Sequence, residues 1–312
     1  MIKNKKCVIC NGKIKFLISR LDKYDYNYCE NCSLIIANPF PSNEILEKYY
    51  QSFLCRKPNN YDFRYIIEII NKEVIYFIKI IRKYFSNLSN LKILKILDFG
   101  GAIGLHSYLL SKYFFDVSLF DFDKEAINYA KKFLNKFINI INIDSKTYLN
   151  KKFDIIICNQ VIEHNTDLIL FLNNLKNLLK KDGILILTTP NQLSYQKFFT
   201  FKNTKHYFNV VSKRLTINIL VKYLKKSWQY CDPPRHLFSF NSYNLKLLIK
   251  KANLKSLKII TKYKYNKIIT KNIKKSFLNV FFVIICKFIQ FFDYKKIHGN
   301  TLISISRKYK IL

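Results

Sequence analysis

Between Leu91 and Thr189 the chain alternates short apolar runs with segments patterned for helices. "LKILKILDF" is strand-like and "HSYLLSKYF" helix-like. "VSLFDF" and "KEAINYAKKFL" repeat the pair, "INIINID" and "FDIIICN" read as further strands, and "LILFLNNLKNLL" with "GILILTT" closes the series. Apolar strands of this length joined through helices imply right-handed crossovers and a mostly parallel sheet with helices over both faces. That is an α/β fold, and sheets of this kind bind ligands at the carboxyl ends of their strands. Residues 61 to 87 add a lead-in helix, with Ile66, Ile69, Ile70, Val74, Phe77 and Ile81 at helical spacing.

Three of the six glycines, Gly100, Gly101 and Gly104, fall between the first of these strands and its helix. Glycine there lets the backbone approach a ligand where a β-carbon would collide with it. The dinucleotide fingerprint G-x-G-x-x-G would need glycine at 102 and 105, but Ala102 and Leu105 stand there, so the pattern excludes a nicotinamide-dependent dehydrogenase. Asp98 lies two residues before the first glycine, Asp121 ends the second strand and Asp144 the third. In a chain with 20 acidic and 54 basic residues, carboxylates at successive strand ends are informative, because they accept hydrogen bonds from ribose hydroxyls and amines.

"LDFGGAIG" resembles the acidic-x-Gly-x-Gly-x-Gly motif of class I S-adenosylmethionine-dependent methyltransferases, with Ala102 in place of the middle glycine. "KFDIIICNQVIEHNTD" is similar to the family's fourth strand and following loop, and "LLKKDGILILTTPN" to its fifth. The resemblance spans about residues 90 to 310 and implies a Rossmann-like sheet of seven strands, the last, "GNTLISISRK", antiparallel. It also implies S-adenosylmethionine as cofactor, bound by Asp98, Gly100, Gly101, Gly104 and Gln160, with Asp121 on the ribose hydroxyls and Asp144 on the adenine amine.

Methyl transfer requires alignment, exclusion of water and often a base for the acceptor's proton. His164, in "QVIEH", and His236, in "DPPRHLFSF", are the candidate catalytic residues, the alternative for each being an imidazole that ties a loop to the sheet. "PPRHLFSF" and "KKANL" are similar to a family segment in which Asn253 would be glycine. In ubiquinone-pathway and small-RNA methyltransferases a Glu-x-x-Glu-His plus a later His can bind a divalent metal. The counterparts are Gln160, Glu163, His164 and His236, and Gln160 removes one carboxylate from such a site.

Cys7, Cys10, Cys29 and Cys32 form two C-x2-C knuckles, the spacing of a four-thiolate zinc site. With every ligand supplied by protein, such a centre is structural. The expected organisation is a zinc ribbon over 1–40, a helical linker and lead-in helix over 41–90, and the methyltransferase domain over 91–312. Within that domain, residues 191–235, with Trp228 and Tyr230, form an insertion suited to an acceptor lid. An apolar helix near 275–293, flanked by lysines, suits contact with an anionic membrane or a lipid-linked substrate.

The formal charge of +34 reflects lysines spread along the whole chain, and A/T-rich codons account for much of it. "MIKNKKC" has no apolar signal-peptide core, so a cytoplasmic protein is expected. The ribbon-plus-methyltransferase arrangement suggests a sugar nucleotide or lipid-linked glycan as acceptor, with O-methylation favoured. The other reading, a nucleic-acid-binding or RNA-modifying protein, requires steeply salt-dependent binding to arbitrary DNA or RNA.

Overall fold

The computed structural model describes residues 6–19, 24–42, 44–46, 48–49, 63–141, 150–194, 234–262 and 299–309. Asp144, most of the 191–235 insertion with Trp228 and Tyr230, and the apolar segment 275–293 lie outside the described residues.

The lead-in pattern forms helix α1 (Phe63–Tyr84), which buries Val74, Phe77, Ile78 and Ile81. A 3-10 turn (Leu91–Ile93) then takes the first half of "LKILKILDF", and strand β4 (Lys95–Phe99) only the second. The side chain of Asn90 accepts from Lys92 N and starts that turn, a local bond that competes with extension of the strand. Helix α2 (Leu105–Ser111), β5 (Asp116–Phe120), α3 (Lys124–Leu134) and the short β6 (Asn139–Ile140) follow. Next come β7 (Phe153–Asn159), α4 (Leu168–Leu178), β8 (Leu179–Pro190), β9 (Phe238–Ser239), α5 (Ser242–Lys251), β10 (Leu254–Lys262) and β11 (Thr301–Lys308). Asp123 and Asp167 each accept two backbone N–H bonds at the starts of α3 and α4, so two of the few carboxylates serve as helix caps.

Seven strands form one sheet in the order β10-β11-β8-β7-β4-β5-β6. Strands β4 to β8 run parallel, and β11 pairs antiparallel with both β8 and β10. Chain order reverses between β4 and β7, and Asp98 lies opposite Leu119 on one side and Ile157 on the other. The carboxyl ends of β4, β5 and β7 therefore line one crevice at the switch point. Side chains along β8 alternate: Ile184 and Ile186 enter the core under α1 and α2, while Leu185 and Leu187 enter the core under α4 and α5.

A second sheet, in the order β1-β2-β3-β9, holds the cysteine region. Its strands are β1 (Ile14–Ser19), β2 (Asp25–Cys29) and β3 (Ile35–Asn38), and its fourth strand comes from the large domain. Cys7, Ile9, Cys29, Cys32, Leu34 and Ile36 share one apolar core with Phe238, Phe240, Leu245 and Leu248. The small sheet is thus built partly from, and packed against, the α/β domain.

Candidate active site

The loop after β4 is shaped by its neighbours on both sides. Gly100 and Gly104 have left-handed φ of 76° and 80°, and a Cβ on Gly100 would stand 2.5 Å from Val161 Cγ2. A Cβ on Gly101 would meet Asp98 Oδ2 at 2.5 Å and Leu119 Cδ1 at 2.6 Å, so the loop lies directly on the Asp98 carboxylate. Asp98 is buried, accepts from Ser107 Oγ at 2.7 Å and holds the loop from beneath. Burial pushes its carboxyl up, opposed by the charge of His106 and by the bonds from Ser107. Asp121 reaches the loop from β5: Oδ2 accepts from Ala102 N at 2.7 Å and Oδ1 from Asp123 N at 2.9 Å. Burial raises its carboxyl as well, against those two bonds. Each oxygen keeps a lone pair for a further donor.

Two polar clusters flank the ends of β7 and β8, separated by the alternation of Thr188 and Thr189. On the α1 side His106 Nε2 lies 3.0 Å from Glu73 Oε2, and Asn159 Nδ2 lies 3.5 Å from the same oxygen. Thr188 Oγ1 donates to Asn159 Oδ1 at 2.5 Å and accepts from Gln160 N and Nε2, both at 3.1 Å. Gln160 adopts a left-handed φ of 60°, which turns the chain sharply out of the strand. Glu73, His106, Asn159 and Thr188 escape a reading of the sequence. They come from four elements, and only the observation that His106 follows the glycine loop by two residues hints at them.

On the other side Thr189 Oγ1 donates to the buried Glu163 at 3.0 Å, and His236 Nε2 stands 4.0 Å from Glu163 Oε1. The rings of His164 and His236 lie 4.9 Å apart. His164 Nδ1 is 2.7 Å from the carbonyl of Arg235 and its Nε2 is 3.1 Å from that of Gln160. This imidazole ties the β7 loop to the segment that carries His236.

A glycine-lined switch point with a carboxylate at the next strand end invites comparison with known proteins, and residues 70–259 match the model of the methyltransferase domain family. The chain belongs to the methyltransferase domain family. Ubiquinone biosynthesis O-methyltransferases are among its relatives. That of Pelagibacter ubique is 33% identical over 135 residues, covering 41% of this chain and 52% of the relative. That of Rickettsia prowazekii is 33% identical over 117 residues, covering 36% and 46%. The chain thus spans about half the length of the curated relatives it matches. Among solved structures, a SAM-dependent methyltransferase from Archaeoglobus fulgidus is 16% identical with a TM-score of 0.47, covering 79% of this chain and all of that one. Magnesium protoporphyrin IX methyltransferase from Synechocystis PCC 6803 is 11% identical with a TM-score of 0.49, covering 86% and 100%.

The fold brings Asp98, Gly100, Gly101, Gly104 and Asp121 together at the ends of β4 and β5 and sets Gln160 at the end of β7, while His164 and His236 lie side by side near Glu163. Ala102, where the family motif has glycine, takes a left-handed φ of 49°. A β-carbon in that region costs ~1–2 kcal/mol, partly offset by glycine's larger entropy loss on folding. Ala102→Gly is therefore expected to stabilise the protein by about 0.5–1 kcal/mol in denaturant titrations, because Ala102 N keeps its bond to Asp121. Asn253 also stands in place of the family's glycine and also adopts a left-handed φ, 54°, just past α5, where asparagine is well tolerated.

Burial pushes His164 below its ordinary value of 6.5. The unfolded chain then takes up that proton first as pH falls, so stability is lost on acidification below about 6.5 until the folded group also protonates. His164→Gln is expected to flatten the fall in thermal midpoint between pH 7 and pH 5, a slope of at most ~1.4 kcal/mol per pH unit for one proton.

Glu163, His164 and His236 can each bring one ligand atom within 4.8 Å of the others. With His164 Nδ1 on the carbonyl of Arg235 and the Gln160 amide on Thr188, one carboxylate and two imidazoles fall short of the six or more oxygens a hard cation takes. The cysteine centre fits a metal well. All four Sγ atoms lie within 4.8 Å of one another, with Cys7–Cys32 at 3.7 Å and Cys10–Cys29 at 3.3 Å, close to the ~3.8 Å edge of a tetrahedron with 2.3 Å Zn–S bonds. The bond from Cys32, helped by the backbone N–H groups of Cys10 and Ile9, holds the Cys7 thiol at about 5 and ready to ligate. Cys158, buried in the large core, stands outside this cluster.

Proposed function

We propose that the protein is an S-adenosylmethionine-dependent O-methyltransferase acting on a hydroxyl group of a small molecule. The observation that carries this reading is the glycine loop over Asp98, with its backbone anchored on Asp121 at the neighbouring strand end. S-adenosylmethionine, when bound, supplies a methyl group activated by a sulfonium. Asp121 accepts from the ribose hydroxyls, and the loop from Gly100 to Gly104 gives the nucleoside a close backbone surface. On the α1 side Glu73, His106 and Asn159 provide a carboxylate, an imidazole and an amide suited to the ammonium and carboxylate of the donor's amino-acid end. His236, with Glu163 behind it, takes the acceptor's proton, while His164 holds the loop.

The acceptor is the finer question. The names of the relatives point to O-methylation in ubiquinone biosynthesis and lend no support to the sugar nucleotide or lipid-linked glycan expected from the sequence. Peripheral contact with an anionic membrane and a nucleic-acid partner likewise gain nothing from them. Among the described residues no helix is long and apolar enough to cross a membrane.

Calorimetry with two ligands tests the donor assignment. S-adenosylhomocysteine has the amino-acid end that methylthioadenosine lacks. Glu73→Gln is expected to weaken the first by about tenfold, the effect of ~1.4 kcal/mol, and to leave the second within twofold. Equal losses for both ligands would place Glu73 in the scaffold instead.

A further inference from the structure

The segment carrying His236 is held between the methyltransferase sheet and the cysteine ribbon. Leu237 has both backbone groups engaged: its N–H donates to the carbonyl of Glu163 at 2.8 Å, and its carbonyl accepts from Ala37 N in β3 at 2.9 Å. The next two residues are β9, which pairs antiparallel with β3, Ile36 opposite Phe238 and Ile35 opposite Ser239. Phe240 then accepts from Gln192 N at 2.6 Å at the end of β8. The backbone that follows His236 is thus fixed by two bodies, and one of them is β3.

What fixes β3 is the metal centre. Cys29 ends β2, and Cys32 lies three residues before β3. Backbone N–H groups of Ile9 and Cys32 point at Cys7 Sγ and Cys29 Sγ at 3.4 and 3.5 Å. The carbonyl of Cys32, a metal ligand, accepts from Asn244 Nδ2 at 3.2 Å and from Asn241 Nδ2 at 3.4 Å. Those asparagines form the reciprocal cap that starts α5, with Asn241 only five residues beyond His236. Val8, between the two cysteines of the first knuckle, accepts from Lys251 Nζ at 2.8 Å at the other end of α5. A ribbon serving only to stabilise itself needs none of these contacts, and buried polar links of this kind add little net stability over apolar packing.

We propose that the four-cysteine centre is a positioning element of the acceptor site: its metal fixes Cys32 and β3, and these set His236 against Glu163. The role given to His236 rests on the methyl-transfer reading, whereas the link from metal to His236 does not. Cys32, Ala37, Asn241 and Asn244 act through His236 and touch no reacting atom.

The test uses the full-length, zinc-loaded protein with its histidines labelled at Cε1, the His236 resonance being assigned by its loss in His236→Gln. Removing the metal with a chelator under reducing conditions is expected to move the His236 resonance and leave that of His106 in place. S-adenosylhomocysteine affinity should stay within twofold, and added zinc should restore the original spectrum. Asn244→Asp keeps an acceptor for the N–H of Asn241 but loses the donor to Cys32, with all four thiols untouched. It should retain one metal per chain and shift the His236 resonance in the same direction as metal removal. An unmoved His236 resonance in both samples would overturn the proposal, and if metal removal unfolds the whole chain the Asn244→Asp spectrum decides alone. Failure of the wild-type protein to bind S-adenosylhomocysteine would instead count against the donor reading and leave the link between metal and His236 standing.

Discussion

Cys29→Ser is expected to release the ribbon metal and to cause the largest loss of stability of any single change considered for this chain. A four-thiolate zinc site contributes ~10–16 kcal/mol of binding free energy in isolated zinc-finger peptides, and both knuckles of this ribbon converge on that one centre. Cys29 sits at the junction of β2 and the second knuckle, and its backbone N–H donates to the carbonyl of Leu34, the residue before β3, at 2.9 Å, so disorder at the metal-free knuckle passes to β3. The apolar core shared with Phe238, Phe240, Leu245 and Leu248 means that the damage should spread to β9 and α5. Hydrogen exchange should show lost amide protection over residues 6–19, 24–38 and 237–245, with β4, β5 and β7 still protected. Elemental analysis should show one zinc in the wild type and none in the variant. Full protection of β1 to β3 in the metal-free variant would show that the ribbon is held by packing alone.

Asp121→Ala is the second large effect. It removes the two charge-assisted bonds that hold Ala102 N and Asp123 N, and with them the acceptor proposed for the donor's ribose. At ~1.5–3 kcal/mol for each hydrogen bond to a charged group, affinity for S-adenosylhomocysteine should fall by at least about a hundredfold. Asp121 is partly exposed and raised by burial, so loss of its charge does not in itself unfold the domain. Asp121→Asn keeps an acceptor oxygen and should bind with intermediate affinity. An unchanged affinity in Asp121→Ala would move the ribose elsewhere.

The parts of this molecule legible in its sequence are those set by local pattern. The spacing in "KEAINYAKKFL" matches α3, Lys124–Leu134, to the residue, and Asp123 ahead of it is the cap. The glycine loop and Asp121 come together because both follow strands that pair in register, Phe99 opposite Phe120, so adjacent strand ends coincide in space. Long-range pairings leave no such trace. Glu73 and His106 lie on different helices and meet only because α1 folds over the same sheet face as α2. The pairing of β3 with β9 joins residues two hundred positions apart, and "HLFSF" reads equally well as the approach to a helix. The "LKI" of "LKILKILDF" reads as strand because its apolar residues alternate, yet Asn90 caps it into a 3-10 turn. Asp144 is the one cofactor residue implied by the family resemblance whose place the described residues do not reach.

The central claim, that the crevice over Gly100 to Gly104 binds S-adenosylmethionine, is tested most directly by titrating the zinc-loaded protein calorimetrically with S-adenosylmethionine and S-adenosylhomocysteine, with NAD as control. The account predicts one site per chain with dissociation constants on the order of micromolar, about 8 kcal/mol of binding free energy, and no heat from NAD. Absence of binding by both sulfur ligands to a folded, metal-loaded protein would contradict it.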